Sequence, residues 1–149
     1  MTYVSKYLEP HELVDKETLD SVGGSAIRVS MLFDDRLLVT ADKLRERYGV
    51  IHCNNWFWGG RFSQRGLRSP FSETGAKFSD HKFGRALDVH FNNITAQEVR
   101  QDILNDPFCD DFKYITVLEM TLNGKPISWL HFGTRNWDKK NNEIQQLHI

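Results

Sequence analysis

Several features typical of other protein classes are missing from this 149-residue chain. It has no apolar run of about 18 residues, the length that a membrane-spanning helix needs, so we predict no membrane span. Its formal net charge is −1, and it therefore lacks the basic excess typical of nucleic-acid-binding domains. Its first residues carry no apolar signal-peptide stretch, and we expect synthesis in the cytoplasm.

Cysteine is scarce as well. The only two cysteines are Cys53 and Cys109, and neither belongs to a Cys-x-x-Cys pair, which argues against a structural zinc knuckle. A disulfide between them would require Cα atoms within about 7 Å of each other. We predict two reduced thiols packed in the fold.

No linker, repeat or low-complexity segment interrupts the chain. Hydrophobic residues make up 40% and charged residues 26%, an ordinary globular balance, and the length suffices for one domain with a sizeable core. We predict a single domain over residues 1–149. Residues 1–30 mix short helical signals with Gly23-Gly24 and are expected to form a less regular lead-in.

Local patterns predict a mixture of helices and strands. Apolar residues at helical spacing indicate a helix over Asp34–Tyr48, with Gly49 as its stop, and Thr95 with Glu98 forms a capping box that opens a second helix. Period-two alternation and the Asn123-Gly124 turn predict a hairpin. The predicted strands are residues 50–54, 84–91, 113–121 and 126–132, and residues 55–80 are a long irregular stretch. This order indicates an α+β domain around a small antiparallel sheet flanked by helices.

Three residues have the character of metal ligands. His81 and Asp88 lie seven residues apart, and His131 follows on an apolar strand. Imidazole nitrogen and carboxylate oxygen both suit zinc, and three protein ligands leave a fourth position open, as in catalytic zinc sites. Asp88 lies in an otherwise apolar strand, where an unpaired carboxylate would be costly, so a metal or an arginine partner is expected.

The pattern around these ligands resembles the zinc D-Ala-D-Ala carboxypeptidase family. Its form is Ser-x-His-x-x-Gly-x-Ala-x-Asp with a later Trp-x-His, and the fixed positions are Ser79, His81, Gly84, Ala86, Asp88 and His131. That family includes phage endolysins that cut peptidoglycan stem peptides, D,D-dipeptidases and the hedgehog signalling domain. The runs at residues 54–60 and 66–68 resemble a phage or prophage branch. The resemblance implies a hedgehog-like fold with one Zn²⁺ per chain.

The catalytic base is where the chain departs from this family. Many relatives place a glutamate three residues before the last histidine, but this chain has Ser128 there. Glu119, on the preceding strand, is the best replacement. The two-residue turn at Asn123-Gly124 would pair Glu119 with Ser128, which places Glu119 on the opposite face from His131. A bulge or a longer turn around Pro126 would be needed to bring them together.

Other residues are candidates for substrate contacts. The resemblance implies that Arg68, in the Arg65-Gly66-Leu67-Arg68 turn, anchors a substrate carboxylate or carbonyl, a task that suits a guanidinium. Arg61 and Arg65 are rivals for this role. Gln64 is a candidate amide contact, and Trp58 and Trp129 are candidate walls of the cleft.

Two residues are expected to act beside the ligands. Ser79 is predicted to orient a ligand or its loop by hydrogen bonding. His90 shares a face with Asp88 and is open to three interpretations: a group that orients a ligand, a substrate contact, or a solvated strand residue. Relatives often carry an aspartate two residues after the last histidine, where this chain has Gly133.

The leading prediction is a zinc metallopeptidase that hydrolyses D-amino-acid-containing bonds of peptidoglycan stem peptides, as a phage or prophage endolysin released to the cell wall through a holin. One alternative is a cytoplasmic D,D-dipeptidase that acts on a D-Ala-containing dipeptide. Another is a zinc-binding or structural phage protein without catalysis, since Ser128 cannot serve as a base at neutral pH. Neither nucleic acid nor membrane is expected as a partner.

Overall fold

A five-stranded sheet carries the fold in the computed structural model, which describes residues 1–149. Its strands in chain order are β1 (Ile51–His52), β2 (Ala86–Phe91), β3 (Val117–Leu122), β4 (Lys125–Gly133) and β5 (Gln145–His148). Their order in space is β1-β2-β4-β3-β5. The predicted α+β class is confirmed, but the sheet is mixed, because β5 pairs with β3 in parallel and all other pairs are antiparallel.

Six helices flank the sheet. They are α1 (Pro10–Leu13), α2 (Lys16–Ser21), α3 (Ala26–Ser30), α4 (Asp35–Tyr48), α5 (Ala96–Asn105) and α6 (Lys139–Asn142), with 3₁₀ turns at Trp56–Trp58 and Asp80–Phe83. Both long helices begin at the predicted signals, and α4 also ends at its predicted stop. The Asp34 carboxylate accepts from the Arg36 amide at the start of α4, Gly49 ends that helix at φ 89°, and the Thr95–Glu98 capping box opens α5.

The two faces of the sheet differ in character. Leu87, Leu118 and Phe132 are fully buried on one face, in the same core cluster as Leu37 and Leu44 of α4 and Val99 and Ile103 of α5. The neighbouring residues Asp88, Glu119 and His131 project from the other face, because side chains alternate along a strand. The packed core therefore lies on one side of the sheet and the candidate site on the other.

The first thirty residues are more ordered than the expected lead-in. The Asp42 carboxylate of α4 accepts hydrogen bonds from the Tyr3 hydroxyl at 2.6 Å, the Ser5 hydroxyl at 2.6 Å and the Lys6 amide at 2.8 Å. The segment also contributes Leu8 and other apolar side chains to the core. Long-range contacts of this kind have no local sequence signal, which is why the segment looked irregular.

Several strand boundaries differ from the predictions. The strand predicted over residues 113–121 begins only at Val117, because the amide of Ile115 closes a turn onto Phe112. The strand predicted over residues 50–54 shortens to the two residues of β1. Gly84 does not begin β2 but ends the preceding 3₁₀ turn at φ 65°, where a Cβ would lie 2.0 Å from the carbonyl oxygen of Leu32.

The two cysteines and the helices can be compared with what the sequence predicted. Cys53 and Cys109 are both free thiols, as predicted, and burial raises the pKa of Cys53 well above its usual range. None of the helices has both the length and the apolar character that crossing a bilayer requires.

Candidate metal centre

Three buried side chains converge on one point above the sheet. Nε2 of His81 lies 3.2 Å from Nδ1 of His131. The two carboxylate oxygens of Asp88 lie 2.8 Å from His131 Nδ1 and 3.3 Å from His81 Nε2. The three residues form a group whose ligand atoms lie within 4.8 Å of one another, and this group can hold a metal ion.

Different parts of the chain supply these ligands. Asp88 on β2 and His131 on β4 are direct cross-strand partners, so sheet pairing places them side by side. His81 comes from the 3₁₀ turn at Asp80–Phe83. Its Nδ1 lies 2.8 Å from the carbonyl oxygen of Gly66, which can only accept a hydrogen bond. Nδ1 therefore carries a proton, and Nε2 is the ring nitrogen that faces the cluster.

Two of the separations between the donor atoms suit a small tetrahedral cation. Two nitrogens bound to zinc at about 2.0–2.1 Å lie roughly 3.3–3.4 Å apart at a tetrahedral angle. The observed separations of His81 Nε2 from His131 Nδ1 and from the nearer Asp88 oxygen are 3.2 and 3.3 Å. Two imidazoles and one carboxylate are also a common donor set for zinc sites with an open position.

The electrostatics of the cluster keep it ionised. Burial alone would raise the pKa of Asp88, but the neighbouring imidazoles of His81 and His131 outweigh it and hold that pKa well below its usual range. Burial alone would lower the pKa of His131, but the hydrogen bond and charge of Asp88 raise it. The neighbouring imidazoles thus favour the carboxylate form of Asp88 despite its burial.

Glu119 lies beside the cluster because of an irregularity in the hairpin. Thr121 pairs with Pro126, but Glu119 pairs with His131, so one residue of β3, Met120, stands opposite residues 127–130 of β4. This bulge reverses the alternation and puts Glu119 on the same face as His131. Oε2 of Glu119 lies 3.9 Å from Nδ1 of His131. The regular register, with Glu119 opposite Ser128, is wrong, and the bulge named as the alternative is present.

Arg68 is positioned against the same cluster. Its Nη2 donates to Asp88 Oδ2 at 3.3 Å, and its Nε donates to the carbonyl oxygen of Gln64 at 2.8 Å. The loop that carries it is fixed by backbone bonds, since the Arg68 amide donates to the His81 carbonyl and the Asp88 amide to the Arg65 carbonyl. Nη1 of Arg68 lies close to Gly75 and has no hydrogen-bond partner in the protein.

A cavity of about 620 Å³ opens over the cluster. Its walls include all three ligand residues together with Glu119 and Arg68, and Trp129 forms part of the lining as predicted. Trp58 does not reach it, because its indole is exposed and packs edge-on against His11. Gln64 is also outside the lining, since its amide oxygen accepts from Ser72. The prediction that Trp58 and Gln64 contact the ligand here is therefore not supported by their positions.

The two predicted supporting residues have different surroundings. Ser79 lines the cavity, and its hydroxyl accepts from the His81 amide at 3.3 Å, which caps the turn that carries this ligand. His90 does not line the cavity: its Nδ1 contacts the guanidinium of Arg65, and its ring lies 6.3 Å from that of Phe62. The guanidinium of Arg65 thus contacts His90, and the arginine that contacts the metal-ligand cluster is Arg68.

An ion pair in the cavity wall was missed by the sequence analysis. Asp80 Oδ2 accepts from Nη2 and Nε of Arg135 at 2.7 and 2.9 Å, and both residues line the cavity. The same oxygen lies 3.6 Å from the position that a Cβ on Gly133 would occupy. Asp80 therefore brings a carboxylate close to the place where the resemblance expects an aspartate. Its position next to His81 was the signal available in the sequence.

Comparison with known proteins adds no relative. No family model matches the chain, and neither the curated proteins nor the solved structures contain a match. The resemblance to zinc peptidases therefore stays a prediction that depends on the pattern of residues 79–88 and 131. The convergence of these residues in space is an observation that does not depend on the resemblance.

Proposed function

We propose that this chain is a zinc metallopeptidase that hydrolyses D-amino-acid-containing bonds of peptidoglycan stem peptides. The observation that carries the proposal is the placement of Glu119, 3.9 Å from His131 Nδ1, beside the His81–Asp88–His131 group in one cavity. A metal held only for structure needs no such neighbour, whereas peptide hydrolysis needs a metal and a proton acceptor together.

Each residue has a distinct task in this proposal. His81, Asp88 and His131 would hold the ion. Zinc, when bound, supplies Lewis-acid chemistry by polarising a peptide carbonyl and making water more acidic. Glu119 accepts the proton of the attacking water and passes it to the leaving amine nitrogen.

The substrate is held by the cavity wall. The Nη1 donors of Arg68 suit a carboxylate or carbonyl of the peptide. Trp129 supplies an apolar wall against the substrate chain. The preference for stem peptides comes from the resemblance to endolysins.

The test is hydrolysis of purified peptidoglycan by the zinc-loaded chain, with new termini identified by mass spectrometry. We expect Glu119→Gln to bind zinc normally and to lose about 10²–10⁴-fold in turnover, because the amide cannot accept the proton. Glu17→Gln makes the same chemical change at a carboxylate in a neighbouring cavity and should leave turnover unchanged. Near-normal turnover of Glu119→Gln would exclude Glu119 as the base.

A non-catalytic zinc-binding protein is the second candidate. It is favoured by Ser128, which stands where relatives carry the base and which has no strand partner in the bulge. The same experiment separates the two candidates. One zinc bound per chain, with no cleavage of peptidoglycan or of D-Ala-D-Ala by the wild type, would favour this second function.

A further inference from the structure

A buried arginine of helix α5 contacts the bulge in β4. Ile127, Ser128 and Trp129 have no partner in either neighbouring strand, so their backbone groups need other partners. Nη2 of Arg100 donates to the carbonyl oxygen of Ile127 at 2.8 Å, and Nη1 donates to that of Trp129 at 2.8 Å. One guanidinium therefore satisfies two carbonyls that the bulge takes out of the sheet.

Arg100 is unusual for a buried cation. Its side chain is fully buried and has no carboxylate partner. The amide oxygen of Gln97, one turn earlier on α5, accepts from its Nη2 at 3.0 Å and its Nε at 3.3 Å, which fixes the plane of the guanidinium. Burying a charge is expensive unless its hydrogen bonds are made. The only hydrogen-bond partners of its side chain are Gln97 and the two carbonyls of the bulge.

The bulge decides which face of the sheet Glu119 shares. Without it, the turn at Asn123-Gly124 would pair Glu119 with Ser128 and leave it on the opposite face from His131. With it, Glu119 and His131 are cross-strand partners, and the indole of Trp129 reaches the cavity. The pairing of His131 with Asp88 is regular and lies beyond the bulge.

We propose that Arg100 is a positioning residue that holds the bulge of β4 and thereby places Glu119 beside the metal ligands. The expected effect on catalysis rests on the proposed function, whereas the role of Arg100 in the position of Glu119 does not. Arg100 touches no ligand atom, and all three ligands lie outside the bulge. The inference therefore separates two properties: the position of Glu119 depends on Arg100, and the assembly of the ligands does not.

The test compares Arg100→Lys with Lys139→Met. Lysine keeps the charge but cannot hold two carbonyls in a fixed fork. Lys139 is a matched control, because its buried ammonium donates to the backbone carbonyls of Phe112, Lys113 and Ile115, away from the bulge. In the metal-free chains, NMR should show cross-strand contacts between residues 119 and 131 in wild type and Lys139→Met, and their loss in Arg100→Lys. Contacts between residues 88 and 131 should remain in all three.

Activity and metal binding supply the second readout. For Arg100→Lys we expect zinc affinity within about threefold of wild type, KM within about twofold, and kcat lower by about 10–100-fold, the range for groups that orient a reacting residue. Intact contacts between residues 119 and 131 in Arg100→Lys would overturn the inference. If that variant fails to fold, Gln97→Met decides, with faster amide exchange at residues 127–131 expected and unchanged exchange overturning. If the wild type has no activity, the NMR result still decides the role of Arg100 and only the proposed function fails.

Discussion

Adjacent residues of the same strands have different roles on the two faces of the sheet. On one face Leu87, Leu118 and Phe132 are sealed in the core, and on the other Asp88, Glu119 and His131 meet at the cavity. Every site residue on a strand thus has a core residue as its chain neighbour. Close packing of the core fixes the backbone, and the site takes its geometry from that backbone.

Among the substitutions that compare the two faces, the largest effect is expected for Phe132→Ala, on the free energy of unfolding. Phe132→Ala removes a fully buried ring and should lower the free energy of unfolding by about 3–5 kcal/mol, measured by urea denaturation. Because Phe132 contributes no ligand atom, zinc affinity of the folded chain should change less than about tenfold. A loss of zinc binding with little change in stability would show that the two faces are not separate.

The converse change is His131→Ala on the site face. Zinc affinity should fall by more than about 100-fold, since loss of an actual ligand exceeds the 10–100-fold cost of losing a group that only orients one. Calorimetric titration of the metal-free chain measures it. His148→Ala is the matched control, because this histidine lies exposed on β5 and its side chain hydrogen-bonds to Thr121. Equal losses in the two variants would contradict the assigned ligand set.

The pH dependence of stability sharpens the comparison further. In the metal-free chain the lowered pKa of Asp88 adds stability that is present above about pH 4 and lost as the pH falls. The raised pKa of His131 adds stability that is present below about pH 6.5 and lost as the pH rises through the folded-state value. We therefore expect a maximum between these limits.

Chemical denaturation from pH 3 to 9 measures this profile, and Asp88→Asn should flatten it. At the upper end of this pH range zinc should change stability in the opposite sense. It binds deprotonated imidazole, so the stabilisation that it gives the folded chain grows as the pH rises. A profile of the wild type that stays flat from about pH 3 to 9 would show that the Asp88–His131 pair does not couple to folding.

The smallest effect is expected at Ser79. Ser79→Ala removes the cap of the turn that carries His81 and should cost about 0.5–2 kcal/mol, part of which appears as a severalfold loss of zinc affinity. Ser25→Ala is its control, because Ser25 caps α3 with the same 3.3 Å bond to an amide, far from the ligands. Both variants should lose stability, and only Ser79→Ala should lose zinc affinity.

Local signals predicted those parts of the fold that local forces build. The apolar spacing and Gly49 end of α4 and the capping box of α5 are contained within their own segments, and both helices are where they were expected. The convergence of His81, Asp88 and His131 also followed from a short pattern. Strand β5 was not predicted, because its residues show no clear alternation of apolar and polar character. Its parallel pairing with β3 depends on contacts between distant parts of the chain.

The register of the hairpin shows why the rest was out of reach. The Asn123-Gly124 turn specifies a regular pairing, and the first pair, Leu122 with Lys125, obeys it. The departure begins where the guanidinium of Arg100, on a helix some thirty residues earlier, takes up carbonyls of β4. A sequence pattern read one segment at a time has no way to include that contact.

The backbone at Gly66 and Leu67 connects the candidate site to the N-terminal helices. The Gly66 carbonyl accepts from the imidazole of His81, and the next residue, Leu67, donates its amide to the carbonyl of Leu13 in α1. A Cβ on Gly66 would lie 2.0 Å from that same Leu13 oxygen, so the contact leaves no slack. We therefore expect an ion bound at the sheet to stabilise the docking of the N-terminal helices, and by reciprocity we expect that docking to raise the affinity for the ion.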